Sequence, residues 1–205
     1  MIAIIDYGVG NIFSLVHSFR RIGADITLTG DRKEIEAADK IILPGVGAFA
    51  DAAQKLKDTG LGSLVKEQAA EGKPLLGICL GMQMLFERSM EYGEHQGLGL
   101  IEGSVVSMEP VVPEGYKVPQ IGWNALHFPK GRPKSEIFKN IGEGDYVYFV
   151  HSYYGTDCDS SVIATTDYGA ELTAAVQKDN VYGLQFHPEK SGDVGLDILR
   201  AFCEM

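Results

Sequence analysis

The chain has 205 residues, 45% of them apolar and 22% charged. These are ordinary values for a globular protein and exclude a disordered tail, a collagen-like fibre and a coiled coil. Lys and Arg number 18 against 28 Asp and Glu, a net charge of −10 at pH 7, so the surface is ill suited to neutralising a phosphate backbone or docking on an anionic membrane.

In chain order, Ile2 to Ile5 is expected to be a buried strand. Ile12, Leu15, Val16 and Phe19 then recur at helical spacing. Ile26–Thr29 and Lys40–Pro44 are strand-like. Residues 48–71 are helical material with a break at Gly60, Pro74–Ile78 is a further buried strand, and residues 80–88 are expected to be helical. Strands alternating with helices imply βαβ units around a parallel sheet. From about residue 97 the pattern becomes β-rich. Val118–Phe128, Val147–Tyr154, Val162–Thr166, Leu172–Gln177 and Val181–Leu184 read as strands separated by Gly, Pro and Asp turns, and a last helix spans about Asp193–Phe202. With no repeat and no linker, residues 1–205 are expected to form a single domain. No stretch approaches the ~20 apolar residues of a membrane span, and the apolar N-terminus lacks the basic region and cleavage site of a signal peptide. Cys79, Cys158 and Cys203 are too few and too scattered for a disulfide framework or a Cys-rich metal site. Reduced thiols in a cytoplasmic protein are therefore expected.

The sharpest local signal is Gly77-Ile78-Cys79-Leu80-Gly81, entered by a strand and left by a helix. It is the pattern of a nucleophile elbow with Cys in the place of Ser. Side chains at either Gly would clash with neighbouring backbone, and the turn lifts the sulfur at the carboxyl end of the sheet, where helix N–H groups favour the thiolate. A structural Cys at a strand end is the alternative. A second signal is Gln185-Phe186-His187-Pro188-Glu189. In extended chain, residues i and i+2 share a face, so His187 and Glu189 can emerge together as a base and its orienting carboxylate. A turn carrying a surface His is the alternative. The third signal is Leu43-Pro44-Gly45-Val46-Gly47, a Gly-rich loop able to aim N–H groups at an anion beside Leu80; an ordinary β–α turn is the alternative. Asp6-Tyr7-Gly8-Val9-Gly10-Asn11 has Phe13 where a dinucleotide-binding loop needs its third Gly, so a tight turn is expected there. His17, His95 and His127 have no metal spacing, and Cys158 and Cys203 read as inert.

Together the three segments resemble the class I, triad-type glutamine amidotransferases, in the family's order and over nearly the whole chain. The finer details are similar to the family's branch of imidazole glycerol phosphate synthase glutaminase subunits: Pro44–Phe49, Met82 in Cys-Leu-Gly-Met-Gln, Gly122-Trp123-Asn124, His151-Ser152-Tyr153 and His187–Ser191. The resemblance implies an α/β fold with a mixed, mostly parallel central sheet flanked by helices and a β-rich C-terminal half. It implies a glutaminase in which Cys79, His187 and Glu189 are catalytic, and Val46, Gly47 and Leu80 form the oxyanion hole. Gly47, Gln83, Glu91, Ser152 and Tyr153 would contact glutamine. No metal and no cofactor is implied. The implied partner is a (β/α)8-barrel cyclase (synthase) subunit, joined in a heterodimer, to which ammonia is passed for formation of imidazole glycerol phosphate and the carboxamide ribotide. Trp123, Asn124, Tyr148, His151 and Lys190 would face it, although Trp123 also suits a core position. The rival readings are a subunit serving another acceptor, such as the anthranilate or aminodeoxychorismate type, a cysteine peptidase with the same elbow, and a silent scaffold.

Overall fold

The first strand, β1 (Ile2–Ile5), is buried at all four residues, as a parallel strand covered on both faces must be. The computed structural model, which describes residues 1–205, continues with α1 (Ile12–Arg21), β2 (Ile26–Thr29), α2 (Arg32–Ala37), β3 (Lys40–Leu43), α3 (Phe49–Asp58), α4 (Leu61–Ala70), β4 (Leu75–Ile78) and α5 (Leu80–Leu85). The β-rich half follows: β5 (Phe86–Ser89), β6 (His95–Gln96), β7 (Ile101–Ser107), β8 (Gln120–Ala125), β9 (Tyr146–His151), β10 (Tyr153–Thr156), β11 (Val162–Asp167), β12 (Glu171–Lys178) and β13 (Val181–Leu184), closed by α6 (Gly192–Glu204).

The central sheet has seven strands in the order β11-β12-β13-β4-β3-β1-β2. From β13 to β2 every pairing is parallel, while β12 runs antiparallel to both its neighbours. This is the mixed, mostly parallel sheet expected from the sequence. Alternate strand residues divide the core. Ala3, Ile5, Ile41, Leu43 and Leu75 pack with Phe49, Leu56, Leu64 and Val65 of α3 and α4. Ile2, Ile4, Ile42, Leu76 and Ile78 pack on the opposite face with Leu15 and Phe19 of α1 and Leu199 and Phe202 of α6. A smaller sheet, β10-β7-β5-β6, and the hairpin β8-β9 complete the structure.

Two local expectations are corrected. The helix over 80–88 stops at Leu85, because Phe86 and Ser89 are drawn into the small sheet, fully buried, by pairing of β5 with β7. Residues 147–154 are not one strand: the chain leaves β9 at His151 and enters a different sheet as β10. The short helix α2, with Ile35 as its one buried residue, was not anticipated; its N-terminus is capped by Asp31, whose carboxylate accepts from the Lys33 and Glu34 N–H groups. The break at Gly60 is present, with φ +72° between α3 and α4.

The topology gathers the three signal segments. Strand β4 lies between β3 and β13 and is parallel to both, with Ile78 level with Leu184 and Gly77 level with Leu43. The loop after each strand therefore opens at the same carboxyl edge, where α/β sheets place their sites.

Candidate active site

Cys79 joins β4 to α5 with φ +55° and ψ −113°, a conformation that costs a non-Gly residue about 1–3 kcal/mol and persists only where its surroundings enforce it. Here its N–H is tied to the Leu184 carbonyl at 2.7 Å. The flanking glycines are required by sterics: a Cβ on Gly77 would lie 2.6 Å from the Gly81 carbonyl oxygen, and one on Gly81 would collide with the Leu43 carbonyl.

His187 leaves β13 at the same edge. Its Nδ1 is 2.7 Å from Glu189 Oε1, with both side chains almost completely buried. The backbone is fixed as well. The His187 N–H donates to the Tyr148 carbonyl, and the His187 carbonyl accepts from Ser191 Oγ at 2.6 Å. Ser191 Oγ in turn accepts from the Tyr148 N–H. Burial disfavours the charged ring, but the Cys79 sulfur and the Glu189 carboxylate outweigh it, and the imidazole is pushed up to about 10. Nδ1 being engaged by Glu189, the free ring atom is Nε2, which is buried without a hydrogen-bond partner.

The loop after β3 lies against the elbow. Its anchor is Tyr7, whose buried hydroxyl donates to the Pro44 carbonyl at 2.7 Å. The Leu80 N–H donates to the Gly45 carbonyl at 3.2 Å. Gly47 has φ +100°, which suits glycine. The opening Asp6–Asn11 turn is stabilised by the Asp6 carboxylate accepting from the Gly8 N–H.

A cavity of about 500 Å³ lies over the sulfur and is lined by Gly47, Cys79, Gln83, Glu91, Tyr153 and His187 among others. Val46, Leu80 and Ser152 also reach it. Glu91 Oε2 accepts from the Phe49 N–H at 2.6 Å, which fixes the carboxylate at the cavity rim. A larger cavity of about 680 Å³, around Cys158 and Thr173, holds none of the motif residues.

The remaining expected residues divide. Trp123 is half exposed on β8, edge-on to Tyr148 at 6.0 Å between ring centroids, and Lys190 Nζ stands over the Tyr148 ring at 5.8 Å. In register with them, Ile121 and Tyr146 are also exposed, so one face of the β8-β9 hairpin is an apolar, aromatic strip beside the cavity. Asn124, expected beside Trp123, lies on the opposite face of β8, where its amide donates to the Asp167 carbonyl and accepts from Gln120 Nε2. His151, expected to face a partner, points inward instead. It is buried, with Nδ1 on the Tyr153 carbonyl and Nε2 on Gln120 Oε1. Burial pushes it down to about 4; the neutral ring carries a single N–H, which can serve only one of these two oxygens. Tyr7, Gln185 and Ser191 also surround the site; the segments named from the sequence contain them but assign them no role. The available signal was a polar Gln or Ser interrupting apolar sequence next to the His-Pro-Glu segment.

The chain matches the model of the family "Glutamine amidotransferase class-I" over residues 3–204. Curated relatives named imidazole glycerol phosphate synthase subunit HisH align along their whole length. The one from Caldanaerobacter subterraneus subsp. tengcongensis is 50% identical, covering 100% of this chain and 98% of the relative. That from Methanothermobacter thermautotrophicus is 49% identical with the same coverage, and that from Aquifex aeolicus 46%, covering 97% and 94%. Solved structures share the fold at lower identity. A glutamine amidotransferase crystal structure superposes with TM-score 0.75 at 18% identity, covering 100% of this chain and 98% of that one. PurLQS from Thermotoga maritima superposes with TM-score 0.73 at 20% identity, covering 99% and 97%. With a family model spanning all but the outermost residues, and half of all positions shared with full-length relatives, the chain belongs to the class-I glutamine amidotransferase family.

Proposed function

We propose that this chain is the glutaminase subunit of an imidazole glycerol phosphate synthase, releasing ammonia from glutamine for use by a cyclase subunit in histidine biosynthesis. The observation that carries this reading is the meeting of Cys79 with the His187–Glu189 pair at one edge of the sheet, in a chain 50% identical along its length to a HisH subunit. A peptidase or a silent scaffold does not accord with that identity, and the relatives' names favour this acceptor over the anthranilate type.

The Cys79 sulfur adds to the side-chain amide carbon of glutamine, and the carbonyl oxygen becomes an oxyanion. His187, holding a proton that Glu189 and the sulfur stabilise, gives it to the amide nitrogen as the C–N bond breaks. Ammonia leaves and a thioester remains. Water, relieved of a proton by His187, hydrolyses the thioester to glutamate and regenerates Cys79. Glu91 suits the α-ammonium of the substrate, while Gly47, Gln83 and the backbone of Ser152 and Tyr153 hold the rest. The Leu80 N–H and the N–H groups of Val46 and Gly47 face the oxyanion once the Gly45–Val46 peptide has rotated, since the Gly45 carbonyl occupies the Leu80 donor at rest.

Free ammonia protonates in bulk water. The reading therefore includes a (β/α)8-barrel cyclase subunit seated on the β8-β9 strip in a heterodimer, receiving ammonia directly. The chain has no helix long and apolar enough to cross a membrane, consistent with work in the cytoplasm. The test is release of glutamate from glutamine by the purified chain, alone and mixed with the cyclase subunit. Hydrolysis stimulated by that subunit is expected; no hydrolysis in the assembled complex overturns the reading.

A further inference from the structure

The polar side chains behind Cys79 form a chain whose direction is set by one backbone carbonyl. Gln83 Nε2 donates to the Tyr153 carbonyl at 3.1 Å and to Gln185 Oε1 at 3.1 Å. A backbone carbonyl only accepts, so the amide nitrogen of Gln83 must be the end that faces Tyr153 and Gln185. Gln185 must then turn its oxygen toward Gln83, and its own nitrogen is left facing Cys79 Sγ, at 4.0 Å. Turning either amide over would set donor against donor or acceptor against acceptor. The orientation of both side chains therefore follows from the Tyr153 carbonyl alone.

Gln185 is fully buried and Gln83 nearly so. A buried amide is costly unless its groups are matched, and both ends of Gln185 are engaged. Its backbone is held too, with the N–H donating to the Ala174 carbonyl at 2.9 Å. Gln83 lines the cavity. With both of its N–H groups directed at Tyr153 and Gln185, its Oε1 remains as a free acceptor.

We propose that Gln185 is a positioning residue that couples the nucleophile to the glutamine subsite; the inference rests on the reading of Cys79 as nucleophile given above. Its Nε2–H donates to the sulfur and favours the reactive thiolate. Its Oε1 holds the Gln83 amide in the orientation that offers a carbonyl oxygen to the N–H groups of the substrate. Loss of this one side chain therefore weakens both sulfur reactivity and substrate binding, whereas a variant that keeps only the acceptor separates the two, as a general loss of packing would not.

The test uses two variants in the assembled complex, with thermal melting as the folding control. Gln185→Met keeps length and burial but neither hydrogen bond. Iodoacetamide should label its Cys79 about fivefold more slowly at neutral pH, and KM for glutamine should rise about tenfold, the size of one lost hydrogen bond to a reacting or charged group. Gln185→Glu keeps the acceptor for Gln83 but replaces the donor with a carboxylate. Cys79 labelling should again slow, while KM stays within about twofold of the parent. A folded Gln185→Met with parental labelling rate and parental KM overturns the proposal. A Gln185→Glu variant whose KM rises as far as that of Gln185→Met overturns the link through Oε1. The parent complex is measured first: absence of selective Cys79 labelling and of glutamine hydrolysis there would overturn the functional reading itself, whereas a normal parent with unaltered variants overturns only the role of Gln185.

Discussion

The Leu80 N–H donates to the Gly45 carbonyl at 3.2 Å, so the backbone donor that the proposed mechanism assigns to the oxyanion is already occupied in the free chain. Rotation of a single peptide, Gly45–Val46, would release it and turn an N–H into the site. Tyr7 holds the preceding Pro44 carbonyl and so confines the movement to that peptide. Since one oxyanion donor is worth about 10²–10³ in rate, glutamine hydrolysis by the chain alone should be slower than in the complex by at least about 10²-fold. Steady-state glutamate release with and without the cyclase subunit checks this; equal rates would mean that the loop is already productive.

His187 should matter more than Glu189. Replacing the acid–base residue typically costs about 10²–10⁴ in rate, so His187→Asn is expected to fall in that range. Glu189→Gln should cost less, because the imidazole is also held by the Tyr148 carbonyl and by Ser191 through its backbone. The pair has a stability signature as well. A histidine raised from 6.5 to about 10 adds stability that is complete below its ordinary value and is lost as pH rises through the raised one. The melting-temperature gap between the parent and Glu189→Gln should therefore be widest near about pH 6 and close as pH approaches about 10. A gap that widened with pH would contradict the assignment of the proton to His187.

Alkylation should single out Cys79. Burial pushes both Cys158 and Cys203 up to about 11, which leaves them protonated and unreactive at neutral pH. Cys79 has an imidazolium and a cavity beside it. Peptide mapping after brief iodoacetamide treatment should find label on Cys79 well before the other two, and equal labelling of all three would count against the elbow as an activated site.

Much of this was legible in the sequence. The βα alternation of the first half placed β1 to β4 because fully buried parallel strands are short apolar runs whose neighbours are amphipathic helices. Cys79, His187 and the Pro44–Gly47 loop stood out because a tight elbow, a Pro-stiffened strand end and a Gly-rich turn each demand particular residues. Other features are set by tertiary pairing. Phe86–Ser89 follows helix-forming residues and becomes a strand only because β7 is there to pair with it. His151 sits in a β-rich stretch that gives no sign of which face is inward; its burial follows from Gln120 and the Tyr153 carbonyl folding onto it. The Gly45–Leu80 hydrogen bond depends on the orientation of one peptide, which no side-chain pattern records.

The β8-β9 strip offers a graded test of partner docking. Trp123 is half exposed against Tyr148, and a central aromatic anchor is worth roughly 2 kcal/mol or more. Lys190 is an exposed cation over the same ring, and an exposed charge pair contributes about 0.2–1 kcal/mol. Trp123→Ala should therefore weaken binding of the cyclase subunit more than Lys190→Ala, both variants keeping parental circular dichroism. Titration calorimetry against the cyclase subunit checks this, and unchanged affinity for a folded Trp123→Ala would place the docking face elsewhere.

Cys79→Ala, assembled with the cyclase subunit and assayed for formation of imidazole glycerol phosphate from glutamine and from added ammonium salt, separates the glutaminase from the chemistry it feeds. Removing the sulfur leaves the strip and the sheet edge intact. Synthesis from glutamine should disappear, while synthesis from ammonium continues at the parental rate. Persistence of glutamine-dependent synthesis, or loss of both activities in an intact complex, would contradict the assignment of Cys79 as the nucleophile of a glutaminase that supplies ammonia to its partner.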